Sequence, residues 1–114
     1  MGNVTIEIHP DGPRPVKSPV QPNDTVIFTL VGIQGVVEVL FESPCCFTSN
    51  DPLLLDSSNT IAPSSQQKTV CADARDGTVT HFDALLPDTS DLEGKRIEGE
   101  VKRGEVDVST DGGW

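Results

Sequence analysis

The chain has 114 residues, with 8 Lys and Arg against 18 Asp and Glu, a formal charge of −10. That length suits one domain with one modest core, burying roughly two thirds of the surface its unfolded chain exposes. The acidity excludes electrostatic nucleic-acid binding, which needs clustered Lys and Arg, and disfavours an anionic membrane surface; no run approaches the roughly 18 apolar residues of a membrane-spanning helix, so no membrane insertion is expected.

The first residues, Met1-Gly2-Asn3-Val4-Thr5, lack the basic start and apolar stretch of a signal peptide. Ile6 occupies the position where a myristoylation signal carries Ser or Thr. With Met1 as the native start, a cytoplasmic protein is expected; otherwise the chain reads as an exported domain whose signal peptide has been removed. Asn3-Val4-Thr5 and Asn23-Asp24-Thr25 match the glycosylation triplet, which carries meaning only on a eukaryotic secretory route.

The hydrophobic period is two. Val4, Ile6 and Ile8 alternate with Thr5, Glu7 and His9, the signature of a half-buried strand that leaves His9 solvated. Val16 sits between prolines and suits an edge strand. Residues 25–31 form a β-branched run too apolar for the surface, with Val26, Phe28 and Leu30 on one inner face and Phe28 expected to be fully buried. A turn between Gly32 and Gly35 leads into a strand over residues 36–42.

Residues 43–67 are the longest irregular stretch, longer than the usual loop, and so either functional or hiding a strand. Within it, Leu53-Leu54-Leu55 after Asp51-Pro52 suits at most one helical turn, stopped by Asp56-Ser57-Ser58-Asn59. Thr60-Ile61-Ala62 is a weak edge-strand candidate. A short strand is expected over residues 68–73, then Asp76-Gly77 as a hairpin turn and a strand over residues 78–86. The pair Gly99-Glu100-Val101 and Gly104-Glu105-Val106 reads as a hairpin or a glycine-bent strand, and residues 105–108 close the set. Seven to eight short strands without an amphipathic helix predict an all-β, antiparallel Greek-key β-sandwich. It is one domain over residues 1–110, with 111–114 as a frayed tail.

This order of segments resembles the cupredoxins, the blue-copper β-sandwich family. Residues 21–28, Gln-Pro-Asn-Asp-Thr-Val-Ile-Phe, are similar to the segment that opens a core strand there. Residues 37–41 resemble the strand carrying the family's first copper histidine. Residues 77–87 resemble its penultimate strand and copper loop, and residues 104–108 its closing strand. The resemblance covers most of the chain and implies the sandwich. It does not carry the copper site. Val37 stands where the family has its first histidine, Asp83 where it has the cysteine thiolate, and Leu86 where it has the second histidine. The only methionine is Met1, so no axial thioether follows. A blue-copper centre needs two imidazoles, a thiolate and a weak axial ligand, so no copper and no other cofactor is expected.

Other chemistry is sparse. His81 is in phase with Val79 and Asp83 without a nucleophile nearby in sequence. Cys45, Cys46 and Cys71 could join His81 in a zinc site, although no Cys-x-x-Cys knuckle is present. They could equally supply a disulfide from Cys71 to Cys45 or Cys46, or remain buried thiols. Asp73, Asp76, Asp83, Asp88, Asp91 and Glu93 make the second half acidic without the spacing of a calcium loop. The apolar residues outside the strands are Pro44, Phe47, Leu53, Leu54 and Leu55, with Leu85-Leu86-Pro87 after the long strand. The resemblance implies that both groups gather at one end, over the vacated metal site. Exposed apolar side chains there would mark a partner surface. The expected function is a non-enzymatic accessory module acting through contact with another protein or a second copy of this chain. The rivals are a metal or redox protein using Cys45, Cys46, Cys71 and His81, and a small hydrolase with an acidic dyad.

Overall fold

The computed structural model describes residues 2–43, 45–87 and 99–109, and the backbone of 89–90 and 96–97. The tail 111–114, Pro44, Asp88, Asp91 and Glu93 lie outside the described residues. The chain folds as an all-β sandwich whose strands run β1 Asn3–His9, β2 Gly12–Arg14, β3 Lys17–Val20, β4 Thr25–Leu30, β5 Val36–Phe41, β6 Leu53–Asp56, β7 Ser65–Thr69, β8 Val79–Leu85, β9 Thr89–Ser90, β10 Arg96–Ile97 and β11 Val101–Val108. One sheet has the order β2-β1-β4-β7 and the other β3-β11-β8-β5-β6; β9 and β10 form a separate two-stranded ribbon.

The period-two segments fall where the residues placed them, and their inner faces meet between the sheets. Ile6, Ile8, Val26 and Phe28 from the first sheet pack against Val37, Val39, Phe82, Ala84 and Val106 from the second, all fully buried. Phe28 lies at the centre, edge-on to Phe82 at 5.3 Å, Phe41 at 5.7 Å and Phe47 at 6.4 Å between ring centroids. Asp24 ties down the start of this core: its carboxylate accepts the Gly2 and Gln21 N–H groups at 2.8 Å.

Several expectations need correction. The sandwich is not purely antiparallel, because β1 pairs β4 in parallel and β3 pairs β11 in parallel. Leu53-Leu54-Leu55 is no helical turn but the core of β6, paired antiparallel with β5. Thr60-Ile61-Ala62 forms no strand, and Ile61 is exposed. The short strand after it begins earlier, at Ser65. Asp76-Gly77 does form a turn, but it carries the chain from one sheet to the other instead of closing a hairpin. Of the glycine echo, Gly99-Glu100 precedes β11 and the rest lies along it, the strand running unbroken through Gly104. His9 is partly buried and pairs with Glu7 at 2.9 Å.

Candidate functional site

The most site-like feature lies where β1, β4 and β8 end and β5 begins. Val31 N–H donates to the Ile8 carbonyl at 3.0 Å, and the chain then crosses between sheets through residues 31–35. Gly35 makes that crossing with φ of 116°, a conformation that side chains disfavour. A Cβ there would also stand 3.1 Å from Pro87 Cγ. Ser57 fixes the loop, its hydroxyl accepting the Gly35 N–H at 2.9 Å while its own N–H donates to the Gly35 carbonyl. On the other side, Leu86 N–H donates to the Glu100 carbonyl at 2.9 Å. Between these anchors Pro10, Gly32, Ile33, Gln34, Leu86 and Pro87 line an open cavity of about 320 Å³. Among the described residues its walls are apolar apart from Gln34 and offer no acid, base or nucleophile, the chemistry of an apolar binding cleft.

The structure divides the apolar set expected to gather there. Phe47, Leu53 and Leu55 are core residues, with Leu55 fully buried. Leu54 and Leu85 are partly buried on the outer face of the five-stranded sheet, where Leu54, Glu38, Leu85 and exposed Val101 make one row across four strands. Among the described members of the set, Leu86 and Pro87 alone reach the cavity. The expectation that the loop after β5 and the turn after β8 share an end fails for a simple reason. The two strands are antiparallel, with Phe41 opposite Phe82 and Glu38 opposite Leu85, so the loops leave from opposite ends. Pro10, Ile33 and Gln34 were missed. The signal that could have found them is an apolar Ile33 held between two turn glycines.

Cys45, Cys46 and Cys71 lie at the far end and are free thiols. Burial pushes the Cys46 thiol up, the Thr80 hydroxyl beside it pulls it back, and the neighbouring Cys45 and Cys71 thiols add to the rise. The proposed fourth ligand does not join them. Thr80 points into the core, so His81, the next residue of β8, faces out, opposite Glu105 on β11. Among the described residues no three His, Cys, Asp or Glu side chains form a metal-binding group.

That outer face carries a close carboxyl pair that could suggest a dyad. Glu105 and Asp107 stand side by side on β11, and the hydrogen bond that a protonated Glu105 donates to the Asp107 carboxylate holds Glu105 above the usual carboxylate range, helped by burial. Lys17, 3.9 Å from Glu105, acts the other way. The pair sits on an open sheet face remote from the cavity, so nothing there would hold a substrate between the two acids.

The copper positions do not converge either. Val37 is fully buried opposite Leu55. Asp83 is on the outer face within 4.0 Å of Arg103. Leu86 lines the cavity. Two of the three side chains have no donor atom, so these residues do not fit a blue-copper ion.

A two-sheet β-sandwich with this strand order and an apolar end between the β4–β5 and β8 loops has the cupredoxin-like fold. Solved structures agree. The oxidised plastocyanin of the fern Dryopteris crassirhizoma is similar with a TM-score of 0.55 and 17% identity, over 93% of this chain and all of that one. A mutant fern plastocyanin, solved in oxidised and reduced forms, is similar with a TM-score of 0.53 and the same identity and coverage. No family model and no curated protein sequence matches the chain. At this identity the likeness extends to the fold alone.

Proposed function

We propose that the protein is a non-enzymatic docking module that receives an apolar knob of a basic partner protein in the cleft formed by Pro10, Ile33, Leu86 and Pro87. The single observation that carries this reading is the cleft itself, open to solvent at an end of the sandwich and lined, among the described residues, by apolar side chains and Gln34. A few desolvated apolar residues can dominate an interface. The net charge of −10 favours a basic partner and would speed its approach at low salt. Exposed Val101 and half-buried Leu85, one residue from Leu86, extend apolar surface from the rim onto the adjacent sheet face.

The test compares capture from an extract of the source organism by wild type, Ile33→Asp, Leu86→Asp and the control Ile61→Asp. Ile61 is 72% exposed and does not line the cleft. Docking in the cleft predicts a basic protein retained by wild type and the control, released by raised salt, and lost tenfold or more by the two cleft variants at a temperature where circular dichroism shows both still folded. A partner retained equally by all four proteins refutes the assignment of this surface.

A further inference from the structure

The far end of the sandwich carries a second feature, independent of the cleft. Phe47 and Val70 form an antiparallel bridge. On one side of it Thr48 N–H donates to the Thr69 carbonyl at 2.9 Å; on the other, Cys71 N–H donates to the Cys46 carbonyl at 2.7 Å. Cys46 therefore stands directly across from Cys71. The reciprocal donor, Cys46 N–H, turns to the Thr80 hydroxyl at 2.9 Å, which anchors this segment to β8.

Residues opposed across a hydrogen-bonded antiparallel rung have Cα atoms about 5.5 Å apart. That separation lies inside the window of about 4.4–6.8 Å that a disulfide spans. Opposed residues also project their β-carbons on the same side of the ribbon. Cys45 is one residue out of this register, and its Sγ lies 3.9 Å from the Ser49 carbonyl within its own loop. Burial differs between the two opposed thiols: Cys46 is 3% exposed, whereas Cys71 is only partly buried, at the start of a turn.

We propose that Cys46 and Cys71 are a cross-strand redox pair, reduced in this structure, that closes to a disulfide when a small-molecule disulfide oxidant such as oxidised glutathione reaches Cys71. The accessible Cys71 thiolate attacks one glutathione sulfur, and the first glutathione leaves as a thiol. Cys46 is a weak nucleophile in its buried setting, but the mixed disulfide places a sulfur electrophile directly opposite it. Its thiol loses a proton, its sulfur bonds to Cys71 Sγ, and the second glutathione leaves. Two protein thiols are oxidised by two electrons and one glutathione disulfide is reduced to two thiols. The new bond closes the segment 46–71, which contains β6 and β7, the edge strands of opposite sheets. Closure thus fastens the two sheets along one edge and restricts the unfolded chain.

The protein is reduced, freed of reductant and incubated with oxidised glutathione near pH 8. Free thiols are then counted by iodoacetamide labelling and intact mass. The expected result is one labelled thiol in place of three, no retained glutathione, and a melting temperature raised by roughly 10 °C, reversed by dithiothreitol. Cys45→Ser should close as wild type does and label nowhere. Cys71→Ser, altered at the partly exposed position, should form no intramolecular bond. Cys46→Ser should stop at a glutathione adduct on Cys71. Three labelled thiols after oxidation, covalent dimers without internal closure, or closure that Cys45→Ser abolishes and Cys46→Ser permits would each overturn the proposal. None of these outcomes depends on whether the cleft binds a partner.

Discussion

Gly104→Ala adds one methyl group at the most crowded point of the core. Gly104 on β11 pairs directly with Phe82 on β8. The Phe82 ring lies across the glycine, so a Cβ would meet Phe82 Cζ at 2.4 Å, its Cε1 at 2.9 Å and Pro13 Cγ of the opposite sheet at 2.9 Å. The ring cannot move freely, because Phe28 packs edge-on against it at 5.3 Å and Phe41 tilts against it at 6.4 Å. Forcing a methyl into such a site costs about 1–3 kcal/mol. Disturbing an aromatic pair adds about 0.5–1.5 kcal/mol. Against this, replacing glycine inside a strand returns about 0.5–1 kcal/mol of backbone entropy. The balance is a net loss of about 2 kcal/mol, read as a lower urea midpoint at unchanged slope. The mechanism makes a sharper demand through a double-mutant cycle. Phe82→Leu removes the ring atoms that clash but leaves the Pro13 contact in place, so Gly104→Ala should cost clearly less in Phe82→Leu than in wild type, a coupling of about 1 kcal/mol between the sites. A neutral or stabilising Gly104→Ala, or strictly additive costs, would refute the packing argument.

Two further expectations follow from buried groups. Phe28→Ala empties the centre of the aromatic cluster and should cost about 3–5 kcal/mol, much of the roughly 5–15 kcal/mol available to a domain; a loss below about 1 kcal/mol in chemical denaturation would show that β4 is not central. Asp56 accepts the N–H groups of Ser58, Thr60 and Ile61 and the Ser58 hydroxyl, and these bonds lower its pKa to about 2. A depressed carboxylate stabilises the fold fully above its unfolded pKa, near 3.8, and loses that contribution as pH falls from about 4 toward 2. Wild type should therefore lose its stability advantage over Asp56→Asn across that window, and a difference that stays constant from pH 6 to pH 2 would rule the linkage out.

Much of the fold was legible in local pattern. Val4, Ile6 and Ile8 alternate with polar residues, and Val26 and Phe28 share a phase, so their strands and inward faces followed from period two alone. The missing copper donors were equally plain, since Val37 and Leu86 have no donor atom whatever surrounds them. The Leu53-Leu54-Leu55 run was not readable in this way, because three consecutive leucines have no period. Only pairing with Val37, Glu38 and Val39 makes them a strand and decides that Leu53 and Leu55 are core while Leu54 faces out. Ser65, Gln66 and Gln67 are polar enough to pass for a loop, and it is their place at a sheet edge beside β4 that makes them a strand. The cleft needed tertiary structure for the same reason: Pro10, Ile33 and Leu86 come from three remote segments. The far-end thiols show the limit most simply. Composition supplies three cysteines, but the register of Phe47 with Val70 decides that Cys46 faces Cys71. Periodicity is a property of neighbours along the chain and determines which side of a strand is apolar, whereas the direction and register in which remote strands pair determine what that side meets.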